Sequence, residues 1–417
     1  MNKSLKLFLC STSLLLGSAL STISLVSCNN GQANVSKEIE SFKLSLESKN
    51  ESIFVGKTDR LVVSEVNPKG SEGFYTFLTS DKELASVSEE GIVTALKQGT
   101  VTLSAKEKNG ALSEIIVSIT EGEEDFSLIS PSGAPTLAIY DTISSKKGAE
   151  TTTQVTQIPL ALKGGTYNYV VFDSISALKL INANSADYTY QMMLTGGNFH
   201  LAGFNTNEQP KTGDKIVTFG QNLVPDLAFR TAYPELFVES NLPNIQYVNS
   251  VTDAVPILKT GLYQGSPINY CFIAQPALFS VMSWNNNDQD TTNDVYDIQN
   301  LNDKINQMTN GKFDFIPQAA IFIKNDYLFS KPTYAENFLN DVKNQMRNAR
   351  GADLNAVVAS MEKISTIQNE QAAIYGFNEN IVKALQGNNA NQFGIMDPDE
   401  PVSLDQINDF LTTINYK

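Results

Sequence analysis

The sequence predicts a multidomain protein in which an all-β sandwich is followed by an α/β region. The chain of 417 residues is long enough for two or three domains of ordinary size. Up to about residue 120 it shows short alternating strands separated by glycine and charged turns, a pattern typical of a β-sandwich. Beyond that point a unit of strand, small or polar turn and helix recurs, which predicts an α/β fold.

The amino terminus predicts export and a lipid anchor. Lys3 and Lys6 precede an apolar stretch at 5–26 that serine, threonine and glycine interrupt, as in a signal peptide. The stretch ends in L-V-S-C, which resembles a lipobox, and the resemblance implies that residues 1–27 are removed and that Cys28 is diacylated. The alternative is an ordinary signal peptide, or a membrane helix that happens to contain a cysteine.

The mature chain implied by this cleavage is strongly acidic. Loss of Lys3 and Lys6 changes the formal net charge from −15 to −17, because −15 − 2 = −17. Nucleic acid is excluded as a partner, since the chain has no basic patch to neutralise phosphates. A lipid chain on Cys28 would hold the protein at the outer face of the cell membrane, with the polar residues 28–38 as a tether.

Residues 39–120 form the predicted sandwich. The segment A-S-V-S-E-E-G-I-V-T-A-L-K-Q-G-T-V-T-L-S-A at 85–105 resembles the bacterial immunoglobulin-like domain of group 2. The resemblance implies a module that serves as a spacer or as an adhesive surface, and nothing in it suggests catalysis. An acidic run at 121–125 is the predicted linker to the next domain.

Predicted strands of the second region end in small or polar turns. These strands lie at 126–130, 169–172, 216–219 and 269–274, and each turn is followed by residues with helical spacing. In open α/β sheets, ligands bind outside the carboxyl ends of the strands. We therefore expect these turns to line one cleft.

Such a cleft is built from backbone N–H groups at helix starts, a few polar side chains and an apolar wall. The candidate backbone donors are Ser132, Gly133 and Ala134 in one turn and Gly220, Gln221 and Asn222 in another. The candidate polar side chains are Asp173, Ser174, Asn198 and Gln275, and the flat apolar ones are Phe172 and Phe219. We expect about half of this set to touch a ligand.

Three motifs in this region carry a family resemblance. They are P-S-G-A-P at 131–135, G-G-N-F-H-L at 196–201 and F-G-Q-N-L-V-P-D at 219–226. In order and spacing they are similar to ABC-transporter substrate-binding proteins related to binders of sulfonates, nitrate and thiamine precursors. Gln275-Pro276 departs from the Glu-Pro of many relatives, which leaves the charge of the ligand open.

The resemblance implies a two-lobed α/β domain of the type II periplasmic-binding-protein kind at 126–417. Lobe 1 would comprise about 126–212 and 320–417, and lobe 2 about 213–319. The lobes would close by a hinge over a small molecule, which an ABC permease and its ATPase then import. This mechanism needs no cofactor, metal or catalytic residue.

Two other functions stay open. Some relatives in the superfamily are enzymes of thiamine-pyrimidine synthesis, which consume a protein histidine and use clustered cysteines. This chain has one histidine, His200, and after processing it keeps one cysteine, Cys271, in an apolar strand where a thiol is usually a small buried hydrophobe. The other function is that of a surface lipoprotein that acts as an adhesin or structural module through its immunoglobulin-like domain and has a vestigial cleft.

Overall fold

The computed structural model describes residues 38–71, 73–287, 289–368, 375–376, 378–385 and 393–414. The predicted signal peptide, Cys28 and all but the last residue of the predicted tether lie outside the described residues. Within these ranges, no helix combines the length and the apolar composition that crossing a membrane requires.

The first folded unit consists of two four-stranded sheets. In chain order its strands are β1 (Ser41–Leu46), β2 (Ser52–Phe54), β3 (Thr58–Asn67), β4 (Tyr75–Thr79), β5 (Ala85–Val87), β6 (Ile92–Ala95), β7 (Gly99–Glu107) and β8 (Leu112–Thr120). One sheet has the order β1-β3-β6-β5 and the other β2-β8-β7-β4. Alternate residues of β7, namely Val101, Leu103 and Ala105, are buried in the core of the unit. This period of two confirms the predicted β-sandwich.

The α/β region follows. Its strands are β9 (Leu128–Pro131), β10 (Ala149–Thr152), β11 (Tyr169–Asp173), β12 (Tyr188–Met193), β13 (Phe199–Phe204), β14 (Ile216–Phe219), β15 (Ile245–Val248), β16 (Leu262–Tyr263), β17 (Ser266–Pro267), β18 (Tyr270–Ala274), β19 (Val295–Asn300) and β20 (Ala319–Lys324). Its helices are α1 (Ala134–Ala138), α2 (Tyr140–Ser145), α3 (Ile158–Gly164), α4 (Ser174–Asn182), α5 (Val224–Ala232), α6 (Val251–Thr260), α7 (Ala277–Asn285), α8 (Leu301–Met308), α9 (Asn325–Ser330), α10 (Pro332–Arg347), α11 (Leu354–Gln368), α12 (Glu379–Leu385) and α13 (Leu404–Thr413).

Two five-stranded mixed sheets organise this region. The first has the order β10-β9-β11-β20-β12, and the second has the order β15-β14-β18-β13-β19. In the first sheet β9, β10 and β11 are parallel, and β20 runs antiparallel to β11 and β12. The second sheet repeats the plan, with β14, β15 and β18 parallel and β13 antiparallel to β18 and β19. We call the part built on the first sheet lobe 1 and the part built on the second sheet lobe 2.

Strand β13 belongs to lobe 2. Phe199 pairs with Ala274 and Gly203 with Tyr270, so that β13 is an inner strand of the second sheet. The predicted lobe bounds assigned this segment to lobe 1 and placed the start of lobe 2 near residue 213. The pairing instead places the start of lobe 2 before residue 199.

Helices α10 and α11 cover one face of the lobe 1 sheet. Phe338 and Val342 of α10 and Val357 of α11 share a buried cluster with Tyr169 and Ile321 of the sheet. The rings of Tyr169 and Phe338 lie 4.3 Å apart between centroids. The apolar residues at three-to-four spacing in these helices therefore form the stripe that faces the sheet.

The β-sandwich and the linker after it contact lobe 1 through polar groups around the start of α10. The Thr333 N–H donates to Glu121 Oε1 at 3.0 Å, and the Thr333 hydroxyl donates to Gln98 Oε1 at 3.2 Å. The Lys331 ammonium donates to the carbonyl of Glu123. Because exposed polar contacts of this kind add little stability, we expect the two units to fold independently.

A chain that starts at Asp125 is accordingly expected to fold and to bind as well as the full mature chain. In the described part of the chain, the buried clusters of the α/β region consist of residues from 128 onward. The measurement is the melting temperature of the shortened and full chains, together with mass spectrometry of the small molecules that co-purify with each. Loss of binding on deletion of residues 29–124 would mean that the β-sandwich shapes the site.

Candidate functional site

A cavity of about 170 Å³ is lined by residues of both lobes, at the edge where β9, β11, β14 and β18 end. Strand ends meet there because these strands run parallel within their sheets. Of the residues singled out from the sequence, the cavity is lined by Ser132, Gly133, Ala134, Phe172, Asp173, Asn198, Phe219, Gly220 and Gln275. The turns thus share one cavity, and contact of these residues with a ligand stays a prediction.

Three other candidates lie off the cavity lining. Ser174 is buried, and its N–H donates to the carbonyl of Gln318 at 2.7 Å. Gln221 and Asn222 are exposed to solvent in the turn between β14 and α5. Their positions argue against the direct ligand contact expected for them.

Several backbone N–H groups that were expected to face a ligand already have partners within the protein. The Ser132 N–H donates to the carbonyl of Thr152 at 3.0 Å, and the Gly220 N–H donates to the carbonyl of Val248 at 3.3 Å. Both bonds extend the parallel pairing of the strand that has just ended. The Asn222 N–H donates to the carboxylate of Asp226 at 3.0 Å. These three groups are therefore not available donors in this conformation.

Asp173 joins the two lobes across the cavity. One carboxylate oxygen accepts from the Ser176 N–H at 2.7 Å and thereby caps α4 of lobe 1. The other accepts at 2.8 Å from the N–H of Val224, the first residue of α5 in lobe 2. Burial raises the pKa of the Asp173 carboxyl, and the two N–H donors act against that shift. One side chain thus holds two helix starts, each of which favours a negative charge.

Aromatic rings form an apolar wall of the cavity. Phe172 comes from lobe 1, while Phe199 and Phe219 come from lobe 2. The rings of Phe199 and Phe219 meet edge to face with centroids 5.9 Å apart, and Phe219 stacks on Phe272 at 5.3 Å. Rings fixed by such contacts give a rigid surface against which the flat face of a solute can pack.

Asn198 is a buried amide in the cavity wall. Its side-chain N–H₂ donates to the carbonyl of Gln275 at 3.0 Å, which fixes the orientation of the amide. Its Oδ1 is buried and has no hydrogen-bond partner among the residues that the structure describes. Gly394 packs so closely that a Cβ there would lie 2.7 Å from the Cβ of Asn198. The carboxyl-terminal segment around Gly394 therefore fixes the position of this amide.

Gln318 is a lining residue that the sequence did not single out. It is buried, and within the described ranges its Nε2 has no hydrogen-bond partner. The sequence pattern pointed to the carboxyl ends of parallel strands, whereas Gln318 precedes the antiparallel strand β20. Asp173 pairs with Ala319, so the start of β20 lies beside the end of β11. The sequence placed the return to lobe 1 near residue 320 but did not show that the returning strand is antiparallel, which brings the residues before it to the cavity.

His200 and Cys271 do not form a nucleophile and base pair. His200 Nδ1 lies 3.0 Å from both carboxylate oxygens of Asp297. Cys271 is fully buried, and burial raises the pKa of its thiol to about 12. A thiol with that pKa supplies almost no thiolate at neutral pH, which leaves it a packing residue.

Comparisons with known proteins agree with this architecture. Residues 43–117 match the bacterial Ig-like domain (group 2) family. No curated protein matches the sequence. Among solved structures, a protein from Bordetella bronchiseptica RB50 is similar at 13% identity, covering 70% of this chain and 89% of its own, with a TM-score of 0.50.

Two further solved structures are similar at lower TM-scores. An ABC transporter protein from Parabacteroides distasonis has 12% identity and a TM-score of 0.48, covering 70% of this chain and 95% of its own. The alkanesulfonate-binding protein of Xanthomonas axonopodis pv. citri, solved with MOPS bound, has 11% identity and a TM-score of 0.45, covering 71% of this chain and 95% of its own. Residues 43–117 thus match an immunoglobulin-like family, and the α/β domain that follows has a fold similar to that of the Bordetella bronchiseptica protein.

Proposed function

We propose that this protein is an extracytoplasmic solute-binding protein that captures a small molecule between its two lobes and delivers it to an ABC import permease and ATPase. The observation that carries the proposal is the cavity between the lobes, with its aromatic wall and two buried amide atoms, Asn198 Oδ1 and Gln318 Nε2, that find no partner in the described part of the chain. Buried polar atoms without partners are costly, and a ligand that pairs with them recovers that cost.

Each segment of the chain has a role in this function. Residues 1–27 are the lipoprotein signal peptide, 28–38 the tether, 39–120 the immunoglobulin-like spacer, 121–125 the linker and 126–417 the solute-binding domain. The lipid on Cys28 keeps the binding domain close to its permease, which raises the rate at which the loaded protein meets it. The names of the ABC transporter protein and of the alkanesulfonate-binding protein are consistent with such a role.

The direct test is the small-molecule content of the purified protein. The chain is expected to carry a solute that is released on denaturation and identified by mass spectrometry. Adding the released fraction back to refolded protein should raise its melting temperature, because a ligand that binds only the folded state stabilises it. A protein that releases nothing and responds to no solute would contradict the proposal.

The second candidate is an adhesive role of the immunoglobulin-like domain. It is favoured by apolar side chains that the domain leaves exposed, with Phe74 82%, Ile116 71% and Leu112 56% accessible to solvent. In that case the cavity would be vestigial, and the small-molecule fraction just described would be empty.

The anchor is tested by Cys28→Ala. Without the thiol no lipid can be attached, so the variant is expected to appear in the medium or to stay uncleaved, and to leave the detergent phase on Triton X-114 partitioning. Cys10→Ala is the matched control, because Cys10 lies inside the predicted signal peptide and away from the lipobox. Unchanged partitioning of Cys28→Ala would show that the anchor lies elsewhere.

A further inference from the structure

We infer that the solute is uncharged, with a flat apolar body and adjoining hydrogen-bond donor and acceptor groups. This inference rests on the proposed solute-binding function and names the chemical class that the cavity takes. It depends on three features: the charges of the cavity wall, the side chains that cap the nearby helix N-termini, and the two buried amide atoms that have no partner among the described residues.

The cavity wall carries no positive charge in the described part of the chain. Among the described lining residues, the ionisable side chains are those of Asp173 and Tyr375, with no lysine, arginine or histidine. A buried anion without a counter-charge is strongly disfavoured, so a sulfonate or carboxylate solute lacks its usual partner.

Helix N-termini also commonly bind anions, and side chains of the protein occupy those of α4, α5, α6 and α7, whereas the five-residue helix α1 starts at the cavity without a side-chain cap. Asp173 accepts from the first turns of both α4 and α5. At α6, the Ser250 hydroxyl accepts from the Asp253 N–H and the Asp253 carboxylate accepts from the Ser250 N–H. At α7, Gln275 Oε1 accepts from the Phe279 N–H at 3.0 Å. At each of these four helices an anionic solute would have to displace a cap, and α1, with five residues, is too short to supply a comparable dipole.

A cationic solute is disfavoured for a related reason. Asp173 carries the one carboxylate among the described lining residues, and each of its oxygens already accepts from a backbone N–H. Two helix starts therefore balance much of its charge. A buried ammonium group needs a carboxylate that is free to pair with it, and this one is engaged.

The amide side chains of the cavity wall indicate which hydrogen-bonding groups the solute carries. Asn198 contributes a buried acceptor, Oδ1, and Gln318 a buried donor, Nε2, each without a partner among the described residues. Both side chains are nearly inaccessible, at 5% and 6% exposure. An amide-like edge on the solute would pair its N–H with Asn198 and its carbonyl with Gln318. The rings of Phe172 and Phe219 would then contact the apolar body.

The experiment offers refolded full-length protein three pools of compounds at equal concentrations. One pool contains uncharged aromatic and aliphatic amides, the second sulfonates and the third ammonium compounds on the same carbon skeletons. Thermal shift and mass spectrometry after gel filtration report which pool is retained. We expect retention from the amide pool, and preferred retention of a sulfonate or an ammonium compound would overturn the inference.

A positive charge introduced into the cavity wall tests directly whether the charge of the wall determines which compounds bind. Gln318→Arg supplies a cation and removes the uncharged donor, so it is expected to weaken amide binding by about tenfold and to admit sulfonates. Gln246→Arg, at an exposed position of β15, is the matched control and should leave the preference unchanged. If circular dichroism shows that Gln318→Arg is unfolded, Ser132→Arg places the charge at another lining position of lobe 1 with the same expectation.

The outcomes separate the two levels of the proposal. Retention of compounds with the wrong charge overturns the inference and leaves solute binding intact. Retention of nothing from any pool, together with an empty small-molecule fraction from freshly purified protein, overturns the proposed function and this inference with it. An Arg variant that gains no sulfonate binding while it loses the amides would show that the charge of the wall does not select the solute.

Discussion

Gly220→Leu is expected to abolish the stabilisation of this protein by its solute. Gly220 lines the cavity with φ at +67°, a conformation that a leucine side chain resists. A Cβ at this position would lie 3.0 Å from Cγ of Pro225, so the added side chain has to displace either the turn or the solute. The folded state alone is expected to lose about 1–3 kcal/mol from the strained backbone.

Binding is separated from stability by melting each protein with and without the small-molecule fraction released from the wild type. At a hundred times its dissociation constant, a ligand stabilises the folded state by about 2.7 kcal/mol, and this increment should vanish in the variant. Gly265→Leu is the matched control, because Gly265 also has positive φ (+76°) in lobe 2 but no atom near its Cβ position. If Gly220→Leu responds to the fraction as fully as the control does, the solute does not bind at this turn.

The strands that frame the cavity could be predicted from the sequence because the signals that define them are local. Ile216–Phe219 is a short apolar run with a glycine directly after it, and the predicted and observed bounds coincide. Tyr169–Asp173 extends the predicted strand by one residue, since Asp173 both ends the strand and caps the next helix. In each case the residues that form the strand and those that end it are neighbours in the chain.

Other parts of the site depend on contacts that sequence spacing does not reveal. The position of Asn198 is fixed by Gly394, almost two hundred residues later in the chain. Gln318 reaches the cavity because β20 returns antiparallel beside β11. Backbone donors such as the Gly220 N–H looked available in the sequence, yet the neighbouring strand pairs with them. Pairing between distant segments decided these features, and a single sequence does not show that pairing.

Asp173 shows how a residue with an ordinary local role acquires a second role from the fold. The sequence D-S at the end of a strand predicts that Asp173 caps the next helix, and the structure shows this cap. Its bond to Val224 exists only because α5 of the other lobe starts within reach. If the lobes separate as the proposed function requires, this bond has to break, so Asp173 would stabilise the closed arrangement.

Asp173→Ala is accordingly expected to destabilise the protein and to shift the lobes toward an open arrangement. Loss of the α4 cap costs about 0.5–2 kcal/mol, and leaving the Val224 N–H without its partner costs about a further 1–3 kcal/mol. Chemical denaturation measures the sum, and small-angle X-ray scattering should show a larger radius of gyration in the absence of solute.

Asn300→Ala provides the comparison that isolates the contact between the lobes. Asn300 caps α8 by accepting from the Asn302 N–H at 2.8 Å, and both residues belong to lobe 2. Its removal should cost about 1 kcal/mol and leave the radius of gyration unchanged. The excess loss in Asp173→Ala then measures the bond to Val224. Equal losses in the two variants, with equal radii, would mean that Asp173 acts only as the cap of its own helix and that other contacts hold the lobes together.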